Sequence, residues 1–246
     1  MQGLIIALQF MTRIPLKINL NITEDEFGSS SKFFPLVGLI IGIILFFIIK
    51  LTQIILPPLV VGAIILISEI IITGGIHLDG YMDTMDGLLS ARPKEQALEI
   101  MKDSRVGAHS VTALISLLIL KFSIIVSLPA NEVAIFILFM PVVGRWFMLY
   151  CLSFFPYARN QGLGKIFWQQ TKRKHWYISS LFILIMFLIF LPYIYLLALT
   201  ITFLITLTPA LLISKYLNGH TGDTYGALNE MAQVIFIFIC LIISRI

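Results

Sequence analysis

Residues 33–56 read FFPLVGLIIGIILFFIIKLTQIIL, with Lys50 as the single charge. A bilayer core roughly 30 Å thick is crossed by about 20 apolar residues of helix, so this stretch is long enough to span. Six further runs of the same kind follow at 58–73, 106–128, 132–155, 177–193, 194–212 and 227–243. The weakest boundary is between the fifth and sixth runs, where Pro192 is the only turn signal inside a continuous apolar stretch. One long kinked helix there is the alternative, and it would reverse the orientation of everything after it.

Composition agrees with this reading. The 246 residues are 59% hydrophobic and 12% charged, with a mean hydropathy of +0.97, which excludes an ordinary soluble domain. The expected fold is all-α, a polytopic membrane helix bundle of about seven transmembrane helices plus an N-terminal interfacial helix. Residues 1–246 then form a single integral membrane domain. Residues 4–11 are too short to cross and are expected at the interface. The first twelve residues lack a basic leader and a small-residue cleavage site, so they do not read as a removed signal peptide. Cys151 and Cys240 sit in apolar runs without a partner at metal-ligand spacing and read as small core hydrophobes.

With seven crossings, four polar segments emerge on one face: those before residue 33, at 74–105, at 156–176 and at 214–226. They carry 13 of the 17 Lys and Arg residues. The positive-inside rule makes that face cytoplasmic, with the N-terminus inside and the C-terminus outside. The basic run Lys172-Arg173-Lys174-His175 reads as a membrane flank meeting anionic lipid, so the net charge of +4 calls for no nucleic acid. Within the membrane, Glu69, Lys121, Arg145 and Glu230 need partners. A Glu69–Arg145 pair is one solution, and separate snorkelling or water contact is the other. Lys50 and Arg245 fall near the opposite face as anchors.

The segment after the second crossing reads Gly74-Gly75-Ile76-His77-Leu78-Asp79-Gly80-Tyr81-Met82-Asp83-Thr84-Met85-Asp86-Gly87. At about 100° per residue, a helix here places Asp79, Asp83 and Asp86 within roughly 60° of one another. Crowded carboxylates at a membrane are unfavourable unless a cation resides among them. Oxygen-only ligands suit Mg2+ or Mn2+, and Mg2+ commonly takes one or two carboxylates and completes its shell with water and phosphate. The alternative is a solvated helix face or a set of Asp-Gly turns. His77 is either a metal ligand or a group that caps backbone or binds phosphate. Further on, Met101-Lys102-Asp103-Ser104-Arg105 would put Lys102 and Arg105 on one helical face, able to clamp phosphate oxygens. The same pair also fits ordinary membrane-flanking charge, and Asp103 is open between a fourth ligand and a partner for the cations.

These stretches resemble the cobalamin synthase family, the adenosylcobinamide-GDP ribazoletransferases. That family has a run like Gly-Gly-x-His-x-Asp-Gly-x-x-Asp-Thr-x-Asp-Gly followed by one like Met-Lys-Asp-Ser-Arg-x-Gly. Also similar are Phe10-Met11-Thr12-Arg13-Ile14-Pro15, Phe34-Pro35-Leu36-Val37-Gly38, Gly144-Arg145-Trp146, Pro156-Tyr157-Ala158-Arg159 with Gly162-Leu163-Gly164, and Thr221-Gly222-Asp223 with Gly226-Ala227-Leu228-Asn229-Glu230. Asn160-Gln161 and His109 depart from the family's habit at loop positions.

The resemblance implies an enzyme of the cytoplasmic membrane, with its active site facing the cytoplasm. It would join adenosylcobinamide-GDP to alpha-ribazole or its 5'-phosphate by Mg2+-dependent phosphoryl transfer, releasing GMP. Asp79, Asp83 and Asp86 would hold the metal, one of them serving as general base, and Lys102 and Arg105 would neutralise the leaving group. His77, Arg92, Asp103, Arg159, Asp223, Asn229 and Glu230 would contact substrate. A homo-oligomer is left open.

Two alternatives remain. Asp83-x-x-Asp86-Gly87 followed by Ala91-Arg92 is one residue out of register with CDP-alcohol phosphotransferases, and the distal acids are missing, so that comparison is a chemical analogy. An ion-coupled transporter using Glu69, Arg145 and Glu230 is the other, although no internal repeat is visible.

Overall fold

The computed structural model describes residues 2–16 and 22–246, so Lys17 of the basic tally lies outside the described residues. Helix α1 covers Gln2–Met11, and α2 (Glu24–Ser29) runs through a 3-10 turn (Ser30–Phe33) into α3 (Phe34–Thr52). There follow α4 (Pro58–Thr73), α5 (Ile76–Leu89), α6 (Lys94–Ile100), α7 (Ala108–Ser127) and α8 (Val133–Phe154). The chain ends with α9 (Leu163–Gln170), α10 (Arg173–Phe190), α11 (Tyr195–Leu217) and α12 (Gly222–Ile243). Six helical segments are long and apolar enough to cross a membrane, and α4 joined to α5 through a 91° bend raises the number to seven.

The helix ends follow local chemistry. Thr23 caps α2 in a reciprocal pair with Glu26, and Thr221 caps α12 through the N–H of Thr224. Leu191 is extended (φ −129°, ψ 147°), as the residue before a proline tends to be, and α10 stops there. Residues 177–212 therefore belong to two helices, and the single kinked helix is excluded. Several predicted bounds move. The first crossing ends at Thr52 rather than 56, the fifth starts at Arg173 and the sixth runs on to Leu217. The last begins at Gly222 rather than 227, which carries Asp223 into α12 with Asn229 and Glu230.

α8 and α12 form the buried centre, and α3, α4, α7, α10 and α11 surround them. Their outward faces carry exposed Phe47, Ile67, Ile119, Leu188 and Leu212, an apolar surface suited to lipid. α1 is not a detached anchor, because Ile6, Ala7 and Met11 are buried and the helix packs on α3. Cys151 and Cys240 are buried free thiols, as read from the sequence. The loops sort to two ends. At one, Arg13 donates to the Ile72 carbonyl (2.7 Å), His220 to that of Pro156 (2.9 Å), and Gln170 to Asp25 (2.6 Å). At the other, Tyr195 donates to Glu132 (3.0 Å) and Arg245 to the Ser127 carbonyl (3.2 Å).

The buried charges pair differently from the Glu69–Arg145 solution. Lys121 Nζ lies 2.7 Å from Glu69 Oε2 and 3.2 Å from Glu230 Oε2, with all three side chains almost wholly buried. Lys121 on α7 reaches both acids at short range and takes the place assigned to arginine. Arg145 is itself fully buried. Its Nη1 donates to the Pro141 carbonyl one turn back (3.2 Å), and Nε and Nη2 have no partner among the described residues.

Removing one member of a buried ionic cluster strands the others. Lys121→Met is expected to cost about 3–5 kcal/mol, read as a lowered unfolding midpoint in detergent. Combining it with Glu69→Gln and Glu230→Gln should recover part of that loss. A midpoint unchanged in the single variant would contradict the pairing.

Candidate active site

The site is built on α5. Gly74 and Gly75 both adopt left-handed backbone (φ 66° and 70°), a conformation that costs any side chain with a Cβ, and this pair turns the chain through 91°. α5 therefore lies across the end of the bundle instead of continuing α4. Its buried stripe is His77, Gly80, Tyr81, Thr84 and Gly87, spaced at helical intervals. The acids at 79, 83 and 86 occupy the adjoining stripe, so the predicted shared face is present. At Gly80 the start of α12 comes so close that a Cβ would stand 2.8 Å from the Asp223 carbonyl oxygen. That approach brings a fourth carboxylate beside α5.

The four acids are held differently. Asp86 accepts from the backbone N–H groups of Gly107 (2.8 Å) and Ser110 (2.9 Å), and so caps α7. Asp223 stands in the first turn of α12 and pairs with Arg159 Nη1 at 2.8 Å. Asp79 lines two neighbouring cavities, and Asp83 lines one of them. Asp83 has no ion-pair partner among the described residues. Burial, then the charges of Asp223 and Asp79, push its carboxyl up to about 7; Arg159 opposes this and Asp86 adds to it.

The cations are arranged less simply than the sequence suggests. Lys102 and Arg105 do not share a helical face, because α6 ends at Ile100 and both stand in the loop before α7. Each still lines the cavity of about 220 Å³ that also holds Asp79, Asp83 and Asp86. Arg105 Nε lies 3.0 Å from both oxygens of Asp103, which makes Asp103 a partner for a cation. Those hydrogen bonds pull the Asp103 carboxyl down to about 2. Arg159 is a third cation here, with Nε and Nη2 buried and unpartnered among the described residues.

His77 Nδ1 meets Asn229 Nδ2 at 3.0 Å. Asn229 and Glu230 sit behind His77 in α12, while Arg92 stands in the exposed turn after α5. Three contributors were not expected from the sequence: Ser110, and Phe10 and Met11 of α1, which line the second cavity. Ser110 was legible in principle, because a helix opening after Gly107 leaves its first N–H groups seeking an acceptor. The contribution of α1 depends on tertiary packing.

Among the described residues, no three His, Cys, Asp or Glu side chains are grouped so that they could hold a metal ion together. The donor set still fits Mg2+, which takes few protein oxygens and leaves positions for water and phosphate. Burial raises the proton affinity of Asp83 most, and the neighbouring Asp223 and Asp79 add to it; a divalent ion would offset the latter part.

The family model for cobalamin-5-phosphate synthase matches residues 3–241. The adenosylcobinamide-GDP ribazoletransferase of Desulfitobacterium hafniense (strain Y51) is 43% identical over 96% of this chain and 95% of its own length. Proteins of the same name from Listeria welshimeri and Fusobacterium nucleatum are 38% and 35% identical, each over 99% of this chain and 98% of their own. No solved structure matches the chain.

Two substitutions should change stability in opposite directions. The folded state binds the Asp83 proton more tightly than an unfolded chain, so stability is lost as pH rises from 3.8 to about 7. Asp83→Asn is therefore expected to raise the unfolding midpoint of metal-free protein at pH 8, with the gain fading towards pH 4. Asp86→Ala should lower stability by about 0.5–2 kcal/mol, and with it the midpoint, through loss of the α7 cap. Equal effects of the two would refute this division of roles.

Proposed function

The chain belongs to the cobalamin-5-phosphate synthase family, and from that premise we propose that it is an adenosylcobinamide-GDP ribazoletransferase of cobalamin biosynthesis. A hydroxyl of alpha-ribazole, or of its 5'-phosphate, attacks the phosphorus on the cobinamide side of the diphosphate. The bond to the GMP oxygen breaks, GMP leaves, and the hydroxyl proton passes to a carboxylate. The observation that carries this reading is the carboxylate group at one end of the bundle, Asp79, Asp83 and Asp86 on α5 with Asp223 across from them, flanked by cations on two sides.

Asp79 and Asp83 are the carboxylates free to hold Mg2+, with Asp86 contributing through lone pairs its cap leaves open. Bound there, Mg2+ would supply Lewis-acid stabilisation of charge building on the phosphoryl oxygens. Arg159 offers Nε and Nη2 to the diphosphate while Asp223 fixes its third nitrogen. Lys102 and Arg105 line the cavity where the leaving phosphate would gather charge. The carboxylate left outside the metal's shell would take the hydroxyl proton.

All four polar segments gather at one end of the bundle. The positive-inside rule puts that end on the cytoplasmic side of the cell membrane, where a nucleotide-activated substrate is available without crossing the bilayer. The transporter alternative loses support because Glu69 and Glu230 are both engaged by Lys121.

The test is GMP release from adenosylcobinamide-GDP by protein in lipid nanodiscs. Activity should need alpha-ribazole and Mg2+, vanish with a chelator, and fall by roughly 10²- to 10³-fold in Asp79→Asn and Asp83→Asn. Wild-type turnover in both variants would remove the metal assignment. Consumption of a CDP-activated lipid in place of cobinamide-GDP would remove the function.

A further inference from the structure

A second cavity of about 200 Å³ adjoins the acidic one through Asp79, towards the start of α5, and the phosphoryl chemistry does not account for it. Its walls are mostly apolar: Phe10, Met11, Phe34, Leu152 and Phe167, from four different helices. An apolar cavity of roughly 150 Å³ takes a benzene ring. This one has room for a somewhat larger flat ring system and none for a corrin. Asp79 and Asp223 stand at its polar rim.

One polar group in the wall has a defined hydrogen-bonding sense. Asn229 Nδ2 donates to Glu230 Oε1 (3.1 Å), and Glu230 is held as an acceptor by Lys121. The second hydrogen on that same nitrogen faces His77 Nδ1 at 3.0 Å, so Nδ1 accepts. The proton of the neutral imidazole then sits on Nε2, which has no hydrogen-bond partner among the described residues. His77 lines the cavity, and Nε2–H is the one donor its ring has left to offer there.

In-line displacement separates the two organic groups, because the attacking and leaving oxygens lie on opposite sides of phosphorus. The leaving GMP carries phosphate charge and suits the cavity with Lys102 and Arg105. The acceptor is left with the apolar one. Guanine, with donors and acceptors along its edges, would leave most of them unpaired against phenylalanine and leucine.

We infer that this cavity binds the base of the acceptor nucleoside and selects a flat, weakly polar bicycle with one ring-nitrogen acceptor, to which the His77 Nε2–H donates. Benzimidazole, the base class of alpha-ribazole, fits that description. Asn229 is a positioning residue that sets the tautomer. The inference rests on the transferase reading above.

The experiment compares alpha-ribazole with its indole counterpart, in which C–H replaces the acceptor nitrogen, using protein in nanodiscs. Wild type should favour alpha-ribazole by roughly three- to tenfold in kcat/KM, the difference lying in KM. His77→Leu should erase the preference, and His77→Gln, which keeps an N–H donor, should restore part of it. Leu163→Trp, at an exposed position on the cavity lip, should raise KM for alpha-ribazole and leave that for cobinamide-GDP unchanged. A preference that survives in His77→Leu overturns the inference, as does a Leu163→Trp effect confined to cobinamide-GDP. Both can occur in an enzyme that still releases GMP. If no GMP is released at all, equilibrium binding of the two nucleosides reads the same preference, and only the transferase reading falls.

Discussion

Lys121 holds three helices by their buried faces, and the site depends on that hold. Its ammonium joins Glu69 on α4 to Glu230 on α12 while its own backbone belongs to α7. In a low-dielectric interior such a group is costly to expose and costly to leave unpaired, so it acts as a register pin. Each pinned helix delivers one part of the site. α4 ends at the glycine pair that launches α5, α7 begins where Asp86 caps it, and α12 begins with Asp223 and carries Asn229. A slip of any one would misplace a carboxylate.

The fold spends some of that order on an unfavourable cluster. Four carboxylates lie near one another at the rim, and among the described residues only Arg159 is fixed to one of them by a close ion pair. Asp86 is steadied by backbone N–H groups, and Asp83 is left with charge it cannot offset. Such local discord is characteristic of a place where a ligand completes the structure. An incoming cation and diphosphate, on the reading proposed here, would find both unsatisfied carboxylate oxygens and unsatisfied arginine N–H groups.

Crossing helices were legible because apolar run length is set by bilayer thickness and needs no tertiary information. Pro192 ended a helix while Pro141 and Pro209 were absorbed inside α8 and α11. A proline alone does not say which, since neighbouring helices decide whether the freed carbonyl can be tolerated. The aspartate face was legible from spacing alone. The charge pairing was not, because Lys121, Arg145, Glu69 and Glu230 lie in four different helices, and which of them meet depends on helix rotation. Lys102 and Arg105 were misplaced onto a helix because nothing in Lys102-Asp103-Ser104-Arg105 marks the turn that ends α6. Arg159 and Asp223 entered by resemblance, and only their contact gives them a physical role.

The placement of the site at the membrane rim also follows from what it would have to hold. A nucleotide diphosphate needs water, cations and a route from solution, whereas a weakly polar aromatic base gains most by leaving water. Here the two environments lie side by side along one short helix. Its early turns, with Ile76 and His77, face a cavity walled by the bundle and by α1, while its later turns, with Asp83 and Asp86, face the loop that carries Lys102 and Arg105. Asp79 belongs to both. Had α5 continued straight from α4, its acids would have been driven out past the bundle end, away from α12 and the start of α7. The 91° turn at Gly74 and Gly75 is therefore what converts a membrane helix end into a surface with one apolar side and one ionic side.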